Sequence, residues 1–115
     1  MDSDKRSEVK SFLLSVKNAT QSWIILTREK NKNTQIQLGL TDGDVKDEIL
    51  ALSVKDYCQG PCKDRKIEGN VWVFGKVIRG EEVYIKLKLW GDEAGQGVRI
   101  LSFHFPEAPM SYPFK

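Results

Sequence analysis

Apolar residues recur with helical spacing in the first part of the chain and alternate with polar ones in the last. Over residues 3–17, Val9, Phe12, Leu13 and Val16 fall at i, i+3, i+4 and i+7, which predicts one helix with a single buried stripe and Ser3 as its N-cap. The run QSWIILT (21–27) is short, β-branched and aromatic, and predicts a strand. Residues 28–40 stay polar until Ile36, Leu38 and Leu40, so the segment is a loop or a weak helix; Gly39 as a stop favours the helix. Thr41 and Asp44 have the spacing of a capping box, and Val45, Ile49, Leu50 and Leu52 continue it into a helix over 42–53.

The next stretch, DYCQGPCKDRKIEGN (56–70), mixes charges with Gly60, Pro61, Gly69 and Asn70, fits neither periodicity, and predicts a long loop. Three strands follow in a meander: 71–78, the turn Arg79-Gly80, 81–90, the Gly-rich turn GDEAGQG, and 98–105. Alternation sends Val83, Ile85, Leu87 and Leu89 to one face and Tyr84, Lys86 and Lys88 to the other. In the last strand it groups Leu101, Phe103 and Phe105 against Ser102 and His104. Trp72, Phe74 and Trp90 share the phase of polar positions, where they could stack on bases, although a covering loop or tail is the commoner fate of such aromatics. The tail PEAPMSYPFK carries three prolines and predicts an extended cover. Helices followed by an antiparallel meander give an α+β, two-layer fold in which N-terminal helices pack on the sheet.

At 115 residues the whole chain, 1–115, reads as one domain, and 40% apolar with 30% charged residues suits a packed globule. Eighteen basic residues against sixteen acidic ones leave a net charge of +2, too little for bulk attraction to nucleic acid, so any basic site must be local. No stretch is long and apolar enough to span a bilayer, and the opening MDSDKRSE lacks the order of a signal peptide, which predicts a cytoplasmic protein with no membrane partner. Cys58 and Cys62 with the single His104 fall short of a metal site, so neither metal nor cofactor is expected. The same two cysteines read as ordinary thiols rather than a disulfide.

GDEAGQG lacks the spacing of a phosphate loop, the cysteines carry no nucleophile signature, and Glu81-Glu82 at a turn is explained by solvation. The polar sheet face offers more. RNA cleaves itself when its 2′-hydroxyl loses a proton and attacks the adjacent phosphorus, provided the phosphorane charge is neutralised and the 5′-oxygen leaves protonated. Lysines supply fixed charge, a tyrosine hydroxyl bonds a phosphate oxygen or moves a proton, and imidazole works as acid or base near neutrality. Tyr84, Lys86 and His104 would meet on one face if their strands pair. Solvation alone also demands a polar outer face, and lysines at alternate positions are a common edge-protection device.

Across residues 38–113 an ordered set of segments resembles the MqsR family of toxin-antitoxin mRNA interferases, whose fold is RelE-like. The set comprises Leu38 to Leu40, Leu52 to Tyr57, Val83 to Lys86 and Ser102-Phe103. The resemblance implies an endoribonuclease toxin of a type II system, acting on mRNA free or on the ribosome and neutralised by a cognate antitoxin. Tyr84 matches the tyrosine of the family's Val-Tyr-Ile-Lys strand, and His104 the basic residue after its Ser-Phe pair. Gln59 stands near the family's loop lysine with Lys63 a little later, and Val73 replaces its strand glutamine with Lys76 nearby. The expected site is therefore Tyr84, His104 and Lys86 as catalytic residues, with Lys63, Lys76, Lys88 and Trp72 binding RNA. Two alternatives remain: a non-catalytic module that binds a partner through its sheet edge and Pro-rich tail, and an RNA binder that does not cut.

Overall fold

The computed structural model describes residues 2–67, 69–92 and 94–115. Helix α1 (Asp2–Lys17) starts one residue before the expected Ser3 cap, whose side chain lies outside the described residues. Then come strand β1 (Trp23–Ile25), helix α2 (Glu29–Leu38), helix α3 (Asp42–Leu50) and a single 3-10 turn (Val54–Asp56). Four strands complete the chain: β2 (Tyr57–Lys63), β3 (Asn70–Ile78), β4 (Glu81–Asp92) and β5 (Gly95–His104). They form one sheet in the order β1-β5-β4-β3-β2, antiparallel except where β1 runs parallel to β5. The fold is α+β in two layers, as the sequence predicts.

Local signals account for most boundaries. Gly39 ends α2 in the left-handed conformation, φ 67°, and its amide reaches back to the carbonyls of Gln35 and Ile36. The capping box of α3 is complete: Thr41 Oγ1 accepts from the Asp44 amide at 3.1 Å while Asp44 Oδ2 accepts from the Thr41 amide at 2.9 Å. The β3–β4 turn holds Arg79 and Gly80 both at positive φ, which matches the twist of a two-residue hairpin. Arg79 tolerates φ 52° while its guanidinium donates to the carbonyls of Leu38 and Gly39, at 2.6 and 3.0 Å, at the C-terminal end of α2.

The core lies between the helices and one sheet face. Val9, Phe12 and Val16 of α1 and Val45 and Ile49 of α3 pack against Phe74, Val83, Ile85, Leu87, Ile100 and Phe103, all buried. Three expectations need correcting. The segment taken for a loop is an edge strand: β2 pairs with β3, and its register slips twice, on either side of Gln59, so that the Gly60-Pro61 pair sits in an irregular stretch where a missing N–H costs no ladder bond. Trp72 faces Leu87 in register, on the core side, with its ring stacked on Phe12 at 4.6 Å. Leu101 sits at a bulge, because Lys86 pairs with Ser102 and Leu87 with Ile100; the extra residue reverses the phase, so Ile100 and Val98 enter the core and Leu101 turns outward.

Beyond Ile25 strand β1 ends, and β5 continues with a free edge. Asn31 of α2 completes it: buried entirely, its Nδ2 donates to Leu26 O (3.1 Å) and Leu101 O (3.2 Å), and its Oδ1 accepts from the Phe103 amide at 2.9 Å. A side-chain amide thus takes the place of the next ladder residue.

Candidate functional site

The sheet face opposite the helices carries the residues of interest. Tyr84 and His104 are direct partners across β4 and β5, and Lys86 and Ser102 form the next rung. The rings of Tyr84 and His104 stack at 5.2 Å and 13°, and both line a cleft of about 510 Å³. Gln59 and Cys58 of β2 form one wall, and residues 107–111 of the tail form the other.

The tail reaches this position by packing on the body. Tyr112 and Met110 lie over Gly75, where an added Cβ would meet the Tyr112 hydroxyl. Tyr112 Oη donates to Glu82 at 2.6 Å, and Phe114 stacks on Tyr57 at 5.5 Å. The tail therefore walls the cleft without sealing it.

Protonation follows from the surroundings. His104 Nδ1 lies 2.9 Å from the Phe105 carbonyl oxygen, which can only accept, so Nδ1 carries a proton and Nε2 is the nitrogen left to face the cleft chemistry. Burial pushes the Tyr84 hydroxyl above its ordinary pKa, reinforced by the neighbouring thiols and Glu107, so Tyr84 stays a donor throughout the neutral range. Burial also raises the Cys58 thiol to about 11, with Glu82 and Asp56 adding to the effect. Cys58 is thus held as a thiol, not a nucleophile, and both cysteines are free. Glu107 is kept below the usual carboxylate range by its hydrogen bond with Lys30 at 2.7 Å.

Lys86, Gln59 and Val73 belong both to this cleft and to a larger groove of about 840 Å³ beside it. Leu26, Val71, Val73 and Leu101 contribute apolar surface to the groove, while Arg28, Lys63, Arg65, Lys66, Lys86, Lys88 and Arg99 face a single carboxylate, Asp64, among the described residues. A protein of net charge +2 thus concentrates seven cations on one surface.

Of the seven residues expected at a site, the structure brings Tyr84, His104 and Lys86 together around the cleft and sets Lys63 and Lys88 along the groove. Lys88 is not free for a ligand: its side chain is 6% exposed and its ammonium holds Asp64 at 2.9 Å and the Ile67 carbonyl at 3.3 Å. Two expectations are corrected. Trp72 is in the core, and Lys76 projects from the helix side of the sheet to pair with Glu48 of α3 at 2.9 Å. Both share the phase of Phe74, which the helices cover. Arg99, Arg28, Arg65 and Lys66 escaped the sequence reading. The run KDRK at 63–66 was a visible basic cluster, but Arg99 takes the open face only because of the bulge beside Leu101.

Among the described residues no group of three or more His, Cys, Asp or Glu is placed to hold a metal ion, and no helix is long and apolar enough to cross a membrane. No protein-family profile matches the chain, and no curated protein or solved structure matches it either.

Proposed function

We propose that this protein is an endoribonuclease that cleaves RNA by internal 2′-hydroxyl attack and needs no metal ion, acting as the mRNA-cutting toxin of a type II pair, as its resemblance to MqsR implies. The observation that supports the reading is the stacked Tyr84–His104 pair beside Lys86, at the head of a basic groove.

Each group has a role set by its chemistry. His104 Nε2 takes the 2′-hydroxyl proton; O2′ then bonds to phosphorus, and the P–O5′ bond breaks. Tyr84, held protonated, gives its proton to the departing 5′-oxygen, and the phenolate and the imidazolium return to their starting states by proton exchange with solvent. Lys86 makes no ion pair among the described residues and offsets the growing charge of the phosphorane. The products are a 2′,3′-cyclic phosphate and a 5′-hydroxyl.

The test incubates the protein with RNA in EDTA and looks for cyclic phosphate ends. His104→Ala should lower cleavage by roughly 10²–10⁴-fold, the range for a positioned acid or base. Tyr84→Phe should retain substrate binding but lose turnover. Full cleavage by both variants would remove these roles. Expression should arrest growth, with relief by the product of the adjacent gene, in a protein that works in the cytoplasm.

The cationic groove also favours a second reading, RNA binding without cutting. Under it, binding survives in the protein with His104→Ala and no cyclic phosphate forms. A partner bound through the tail is less favoured, because Phe114, Tyr112 and Met110 already pack on the body.

A further inference from the structure

The large groove is built asymmetrically around the small cleft. On one side of Tyr84 and His104, cations line the way: Lys86 is shared between the two depressions, and Arg99 stands opposite Lys88 one rung further on. Strand rungs on one face repeat every two residues, about 7 Å. The Lys88–Asp64 pair draws the β2–β3 turn against the sheet, and exposed Lys63, Arg65 and Lys66 rise along that rim. None of these three, nor Arg99, makes an ion pair among the described residues. On the other side of the cleft stands the tail, and Glu107 remains anionic there through Lys30.

Arg99 is held in place from β4. Trp90 lies over Gly97 on the open face, and the Arg99 guanidinium sits 5.7 Å from the centre of its ring. Trp90 Nε1 and Arg99 Nε are both buried and neither has a hydrogen-bond partner. Both atoms are covered by the protein's own groups, so Arg99 meets the groove with the remainder of its guanidinium.

We infer that the groove holds the single-stranded RNA flank on one side of the cut only: phosphates lie on Lys86, Arg99 and the Lys63–Lys66 rim, and bases rest on Val71, Val73 and Leu101. Apolar floor and cationic rim are the division of labour by which proteins grip single strands. Where the cut falls rests on the endoribonuclease reading; the binding does not.

The experiment separates the two. A fully 2′-O-methylated single strand, which has no attacking hydroxyl, is titrated by fluorescence anisotropy over a salt series. Each phosphate contact removed should reduce the slope of log K against log salt by about 0.7. Lys63→Gln and Arg99→Gln should each do so, while Lys10→Gln, an equal loss of charge on the exposed side of α1, should leave the slope alone. Unchanged slopes for Lys63→Gln and Arg99→Gln, or tighter binding of a duplex than of the strand, overturn the inference even if RNA is cut. A second arm uses 2′-O-methylated strands with one internal ribonucleotide, extended in the 5′ or the 3′ direction. Extension in one direction should raise kcat/KM, and that gain should vanish with Lys63→Gln; equal gains in both directions refute a one-sided groove. Binding with the expected slopes but no cleavage upholds the groove and removes the nuclease reading.

Discussion

Replacing Asn31 with alanine tests how β5, and with it His104, is held in place. The side chain is fully buried and makes three hydrogen bonds, two to carbonyls and one from the Phe103 amide. Truncation orphans one donor and two acceptors, each costing about 1 to 3 kcal/mol when left dry. A water entering the vacated polar space can satisfy part of the set, which places the loss near the low end, about 3 kcal/mol. With a urea m-value of about 2 kcal/mol/M, the denaturation midpoint falls by roughly 1.5 M. Native-state hydrogen exchange should show the Phe103 amide losing protection beyond the global change. Asn31→Asp sharpens the argument, because a carboxylate would face the carbonyls of Leu26 and Leu101 in a buried site. Burial raises the folded-state pKa of the introduced carboxyl above its unfolded value of about 3.9, so the variant is most stable below that value and weakens as pH rises through the folded pKa. A midpoint shift equivalent to under about 1 kcal/mol for Asn31→Ala, with Phe103 still protected, would refute the role of this side chain as a surrogate strand.

The remaining predictions concern corrected or repositioned residues. Trp72→Ala removes a ring stacked between α1 and the sheet, and should cost about 3 to 5 kcal/mol in chemical denaturation; a fully stable variant with weakened RNA binding would instead return Trp72 to the surface. Asp64 is held at about 2, first by its hydrogen bond from Lys88 and then by the Lys66 amide. A depressed carboxylate stabilises above its unfolded pKa and loses that contribution as pH falls toward the folded one, so acid unfolding between about pH 4 and pH 2 should be steeper in the wild type than with Asp64→Asn. Identical acid profiles would show the pair to be inert. Cys58, with its thiol raised to about 11, should alkylate slowly at pH 8 in the folded protein and rapidly in urea, as peptide mass mapping would report.

Periodicity and capping reach only a few residues along the chain, and what they control was legible. The stripe from Val9 to Val16 makes α1, Thr41 and Asp44 start α3, Gly39 stops α2, and Arg79-Gly80 turns the hairpin. Tyr84, Lys86 and Lys88 share the face away from the helices because β4 pairs residue by residue and carries no extra residue of its own. The sequence alone therefore determined the two-layer class, and bringing Tyr84 beside His104 required only that adjacent strands pair. Tertiary structure decided the rest. The strand in 57–63 is irregular and depends on β3 as its template, so no local pattern announces it. One extra residue at Leu101 reverses a face, carrying Arg99 to the groove and Ile100 to the core. In β3 the aromatic phase and the lysine phase coincide, and only helices packing above could settle that Trp72 is covered while Lys76 stretches to Glu48. The groove unites Arg28, the turn after β2 and Arg99, which lie far apart in sequence. Charge summed along a chain of +2 conceals such a surface, because electrostatic potential depends on where charges lie in space, not on how many there are.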